Sequence, residues 1–178
     1  MTETDTFRYD PLTITLHWLT ALLVLGLWGL GQAIQFFPRD HGQIEARSVH
    51  VALGAALLAV LLVRLLWSTT PWGGRRPARL GLGDLAARGL QAVLLALLVA
   101  TILFGVLNLG VHPDTVFTWL KVPPLATGYP ELRHAVGELH EWSANLVLVI
   151  VGLHAAAGLA HHYLFRDRTL RRILPGTK

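Results

Sequence analysis

Apolar residues gather into four long runs, separated by stretches rich in proline, glycine and charge. The runs cover roughly residues 12–34, 48–67, 84–109 and 139–165. Each reaches the ~20 residues that an α-helix needs to cross a hydrocarbon core of about 30 Å. In lipid a backbone must satisfy its own polar groups, so such runs are helices. Asp10-Pro11 opens the first, with proline where a helix tolerates it best. Phe36-Phe37-Pro38 and the polar residues through Arg47 make the first loop, STTPWGGRRPARLGLG (68–83) the second. The third loop, 110–138, contains Pro113, Pro123, Pro124 and Pro130 and is expected to hold a short amphipathic piece around 115–122. The pattern predicts one all-α domain over residues 1–178, an integral membrane four-helix bundle. The polar N-terminus lacks a basic region before the first run, which is therefore expected to remain as a signal-anchor helix.

Composition agrees with that class. The chain is 53% hydrophobic and only 15% charged, against about 25% charged in soluble domains. The absence of cysteine excludes disulfides, thiolate-held iron–sulfur clusters, thiol catalysis and covalent c-type haem. No hydrolase nucleophile motif is present. The formal charge of +4 is informative through its distribution. Eleven of the fifteen Lys and Arg residues lie in the N-terminus, second loop and tail, counting the flanking Arg64 and Arg88. The other four are Arg39, Arg47, Lys121 and Arg133. This asymmetry is the positive-inside pattern of a protein with both termini cytoplasmic, and it accounts for the basic excess without nucleic acid.

Polar, protonatable rings inside such helices need partners. His140 and His154 are fourteen residues apart, almost four whole turns and roughly 21 Å along one helix face. Sorted by depth, His50 near the start of the second run matches His140, and His17 near the start of the first matches His154. Each pair is placed to sandwich a b-type haem, whose iron accepts two neutral imidazoles. Fourteen residues after His17 stands Gly31, room for a haem held by other helices. Fourteen after His50 stands Arg64, able to pair with a propionate of the inner haem, as Arg47 is for the outer one. His41, His112 and His134 fall in loops, and Glu138 and Glu141 are placed to cap the fourth helix. The tryptophans read mostly as an interfacial belt. His161 and His162 read either as interfacial residues beside Tyr163 or as part of a quinone pocket, His161 donating to a carbonyl and Arg75, Arg76 or Arg79 assisting. Histidines in an apolar helix also serve as structural or proton-relay groups, so a membrane structural or transport protein is the alternative of a different class.

The segments TLHWL (15–19), HVALG (50–54), VRLLW (63–67), LHEWSANL (139–146) and GLHAAAGLAHHY (152–163) resemble the bacterial cytochrome b561 family over nearly the whole chain, and most of all its short di-haem branch that oxidises superoxide. The resemblance implies a multi-pass protein of the bacterial inner membrane, with two non-covalent haems b ligated by His17, His50, His140 and His154, and His161 at the quinone site. It implies transfer of electrons from periplasmic superoxide to ubiquinone. One departure is DLAARGLQ at the start of the third run, where many relatives carry histidines; this argues against a part for that helix in ligation or quinone contact. The outer loops and helix ends carry four basic against six acidic residues, so steering of an anion requires a local cluster of the basic ones. The runner-up is a haem-b electron-transfer subunit docked to a dehydrogenase or hydrogenase.

Overall fold

The structure is a computed structural model that describes residues 7–39, 41–74, 82–111, 115–117, 120–121 and 130–176. Its four helices are α1 (Pro11–Ala33), α2 (His41–Ser68), α3 (Leu82–Val111) and α4 (Pro130–Tyr163). All four are long and apolar enough to cross a membrane. The chain is thus an all-α membrane protein, as its pattern predicts. A 3-10 turn, Ile34–Phe36, ends α1, and another, Leu170–Arg172, lies in the tail.

Two helices extend beyond their apolar runs. α2 starts at His41 rather than near Ser48, and α4 starts at Pro130 rather than near Leu139 and stops at Tyr163, short of Phe165. Hydropathy marks where lipid is, whereas a polar stretch with Pro130 at the first helical position continues a helix into water equally well. His41 and His134 are therefore exposed helical residues rather than loop residues, and Glu138 and Glu141 lie inside α4 rather than at its cap. His112 falls outside the described residues. Where a short amphipathic piece is expected, Thr115–Val116 (β1) and Leu120–Lys121 (β2) form a small antiparallel pair. It docks on α2: Val116 is buried, and the Phe117 N–H donates to Ser48 Oγ at 2.7 Å.

α1 packs chiefly on α2 and α3 on α4, while α1–α4 and α2–α3 touch lightly. A central apolar layer of Val24, Leu27, Leu57, Leu61 and Val147, backed by Leu23, Leu53, Leu97, Leu98, Ile102 and Val151, joins the two pairs. Val147 sits halfway between His140 and His154 in sequence, so this layer separates the two histidine levels. Leu22, Leu62, Leu66, Leu103 and Val149 point outward and are exposed, as lipid-facing residues of a bundle without an aqueous surround are. Trp28 departs from the belt expectation: its Nε1 donates to Asn145 Oδ1 at 2.9 Å, tying α1 to α4 near the middle of the bundle.

The N-terminal end of α1 is pinned by Asp10. Its carboxylate accepts from the Thr13 N–H at 2.9 Å, from the Thr13 hydroxyl, and from Trp67 Nε1 of α2 at 3.2 Å. Burial pulls the Asp10 pKa upward, but these bonds outweigh it and hold the group below its ordinary value of 3.8. The stabilisation is complete above that ordinary value and is lost as pH falls through the lowered one. Asp10→Ala is expected to cost about 1 kcal/mol, the usual worth of an N-cap, read as earlier thermal unfolding in detergent.

Candidate functional site

Helix periodicity carries four histidines to the inside of the bundle at two levels. His17 of α1 faces His154 of α4, with ring centroids 6.3 Å apart and planes inclined at 57°. His50 of α2 faces His140 of α4, with centroids 6.1 Å apart and planes at 82°. These are the two couples expected from depth. Two metal–imidazole bonds of about 2 Å each, with the half-rings behind them, put such centroids roughly 6 Å apart. Among the described residues no group of three or more His, Cys, Asp or Glu is placed to hold a metal ion. Opposed imidazoles without further protein ligands suit an iron whose other four positions are filled by a planar macrocycle.

The surroundings of the rings fit the same group. His140 Nδ1 lies 2.9 Å from the Thr101 carbonyl oxygen. A carbonyl only accepts, so the proton is on Nδ1 and the Nε2 lone pair is left for a metal. A Cβ at Gly105, one turn further along α3, would stand 3.0 Å from His140 Cε1 and 3.3 Å from Nδ1. A Cβ at Gly31 would stand 3.4 Å from His50 Cε1. Each glycine makes room for an imidazole edge, which puts α3 in the site through a carbonyl and a missing side chain. Thr101 and Gly105 were not among the expected site residues: a backbone acceptor leaves no mark in sequence, and Gly105 is one of several glycines in apolar runs. Gly31 was singled out by its fourteen-residue offset from His17, although its neighbour is His50.

The remaining candidates divide. Arg64 is partly buried and within electrostatic reach of both His17 and His154. Arg47 is exposed one turn before His50. His161 Nδ1 lies 2.8 Å from Asp167 Oδ2, while His162 packs edge-on against Tyr163 at 4.8 Å. Arg75, Arg76 and Arg79 lie outside the described residues. Beside His17, Trp18 Nε1 donates to the Ile173 carbonyl at 2.8 Å, which fastens the tail under α1. Burial raises the Asp167 pKa, but hydrogen bonds from Thr169 and His161 prevail and bring it down to about 2. The group is therefore a carboxylate at any physiological pH, and its contribution to stability fades only as pH drops from its ordinary value of 3.8 through about 2.

A family profile described as "Prokaryotic cytochrome b561" matches residues 8–176. The chain belongs to the prokaryotic cytochrome b561 family. "Cytochrome b561 homolog 2" of Escherichia coli K12 is 32% identical over 171 residues, covering 94% of this chain and 91% of that protein. "Probable superoxide oxidase CybB" of Yersinia pestis is 30% identical over 172 residues, covering 94% and 96%. "Cytochrome b562" of Cereibacter sphaeroides is 28% identical over 174 residues, covering 93% and 94%. As a cytochrome b561, the chain is a multi-pass membrane protein of the haem-b electron-transfer type. The family assignment and the opposed histidines meet on the same chemistry.

Proposed function

We propose that this cytochrome b561 carries two haems b, one between His17 and His154 and one between His50 and His140, and passes electrons from superoxide to ubiquinone across the bacterial inner membrane. The observation that carries the ligand assignment is the matched pair of centroid separations, 6.3 and 6.1 Å. The basic asymmetry supports cytoplasmic termini, which makes the His50/His140 level periplasmic and the His17/His154 level cytoplasmic. The relative named as a probable superoxide oxidase supports the donor. Ubiquinone as acceptor rests on the likeness of the HHY segment, with His161 as its contact.

Bound haem supplies a one-electron couple; the chain supplies position and field. The imidazoles would hold each iron across the helix seam, with the apolar layer of Val24, Leu27, Leu57, Leu61 and Val147 between the levels. Arg64 places a partly buried positive charge beside the inner pair, and Arg47, one turn before His50, is the proposed partner of a propionate of the outer one. A cation close to an iron favours its reduced state, since reduction adds negative charge. Arg64→Leu is therefore expected to lower the inner-haem potential by on the order of 50 mV, close to a tenfold change for one electron. A potentiometric titration of the visible spectrum checks this, and an unchanged curve would separate Arg64 from the inner site.

The acidic excess of the outer loops favours a second reading, in which a redox partner protein, a dehydrogenase or hydrogenase, delivers the electron instead of superoxide. Stopped-flow mixing of the oxidised protein with superoxide decides between them. Rapid reduction with no partner protein present supports superoxide oxidation; inertness supports the docked subunit.

A further inference from the structure

Past the end of α4 the chain turns back on itself in a defined way. The Leu164 and Phe165 N–H groups both return to the Ala160 carbonyl, at 2.8 and 3.1 Å. Arg166 takes a left-handed conformation with φ 53°, and the Asp167 N–H donates to the His161 carbonyl at 3.0 Å. This reversal puts Asp167 Oδ2 2.8 Å from His161 Nδ1. The other carboxylate oxygen accepts from the Thr169 N–H at 2.8 Å. Beyond it the tail is fastened on two sides. Leu170 packs 3.9 Å from where a Gly158 Cβ would be. The Arg172 carbonyl accepts from Tyr9 N–H at 3.4 Å, and the Ile173 carbonyl accepts from Trp18. The carboxylate is thus held in place before any ligand arrives.

Resting on the assignment of His161 to the quinone, we propose that Asp167 is the positioning residue of that site, binding the Nδ1–H of His161 so that Nε2 is the atom that takes up a proton and hands it to a quinone oxygen. An ionised carboxylate only accepts hydrogen bonds, so Nδ1 must carry hydrogen; this is the carboxylate–imidazole arrangement that fixes tautomer and ring orientation elsewhere. The Phe165 ring lies 5.2 Å from the His161 ring, and Tyr163, Leu164 and Phe165 form an exposed apolar rim beside it. A lipid-soluble quinone head can approach along that rim. Quinone takes up two electrons from the reduced protein and two protons from water to become quinol. His161 passes each proton on: Nε2 takes a proton from cytoplasmic water while the Asp167 carboxylate faces Nδ1–H, and that Nε2–H bond breaks as the quinone O–H forms, which returns the ring to its Nδ1–H form.

The test uses the haem-loaded protein, chemically reduced and mixed with a short-chain ubiquinone analogue, with haem oxidation followed optically. Asp167→Asn is expected to slow oxidation 10- to 100-fold, the usual effect of losing such a partner, with haem content unchanged, and Asp167→Glu to recover most of the rate. His161→Gln is expected to slow it comparably, and the double variant to be no slower than His161→Gln, because Asp167 acts only through the ring. Ring ¹⁵N spectra of the oxidised protein are expected to show His161 protonated at Nδ1 in the wild type and without a fixed tautomer in Asp167→Asn. A wild-type rate in Asp167→Asn, or a further loss in the double variant, overturns the role of Asp167 alone. Wild-type protein that quinone does not oxidise, or a wild-type rate in His161→Gln, overturns the quinone assignment and this role with it.

Discussion

His154→Ala is expected to halve the haem content of the purified protein and to remove half of its low-spin, two-imidazole absorbance. His154 faces His17 and nothing else that can ligate a metal among the described residues. Under the proposed ligation, its loss would leave an iron with one protein bond at that level. The His50/His140 pair lies at the other level, with His140 fourteen residues away along α4, beyond the central layer around Val147. His140→Ala is expected to remove the other half, and the double variant all of it. A haemochrome assay against protein concentration measures each step. Loss of both haems from either single variant would mean that the two levels are one cooperative site.

The second large effect is expected at a residue with no side chain. Gly105→Val would put its Cβ 3.0 Å from His140 Cε1, closer than carbon contacts in folded proteins normally come. The branched methyls have to displace the ring, and its Nδ1–H would leave the Thr101 carbonyl. Overpacking of this kind costs about 1–3 kcal/mol where a core can adjust; here the adjustment falls on the ring proposed to hold a haem iron. The expected result is selective loss of the proposed His50/His140 haem, with the His17/His154 haem retained. Gly89→Ala in the same helix, where nothing lies within 4 Å of the added carbon, is the control and is expected to leave both haems. If Gly105→Val kept a full complement of low-spin haem, α3 would have no hold on His140.

These two variants also mark what was legible in the sequence. Four spans were visible because lipid demands unbroken apolar runs, and the pairing of His17 with His154 and of His50 with His140 followed from helix period and depth. Helix ends were not visible: α2 and α4 continue through polar residues that hydropathy assigns to loops. The lack of histidine at the start of α3 argued against that helix, yet it holds His140 through the Thr101 carbonyl, an atom every residue carries. The contact between His161 and Asp167 depends on a left-handed turn at Arg166, where no glycine advertises it. The tryptophans read mostly as a belt from their type alone, and the bond of Trp28 to Asn145 depends on how α1 and α4 rotate against each other.

Everything in this account rests on two irons, each between two imidazoles. Low-temperature electron paramagnetic resonance of the oxidised wild-type protein, with haem quantified per chain, tests that most directly. Two low-spin ferric signals at two haems per chain are predicted, one disappearing in His154→Ala and the other in His140→Ala. A single haem per chain, or a high-spin signal as the main species, would contradict the assignment of these four histidines.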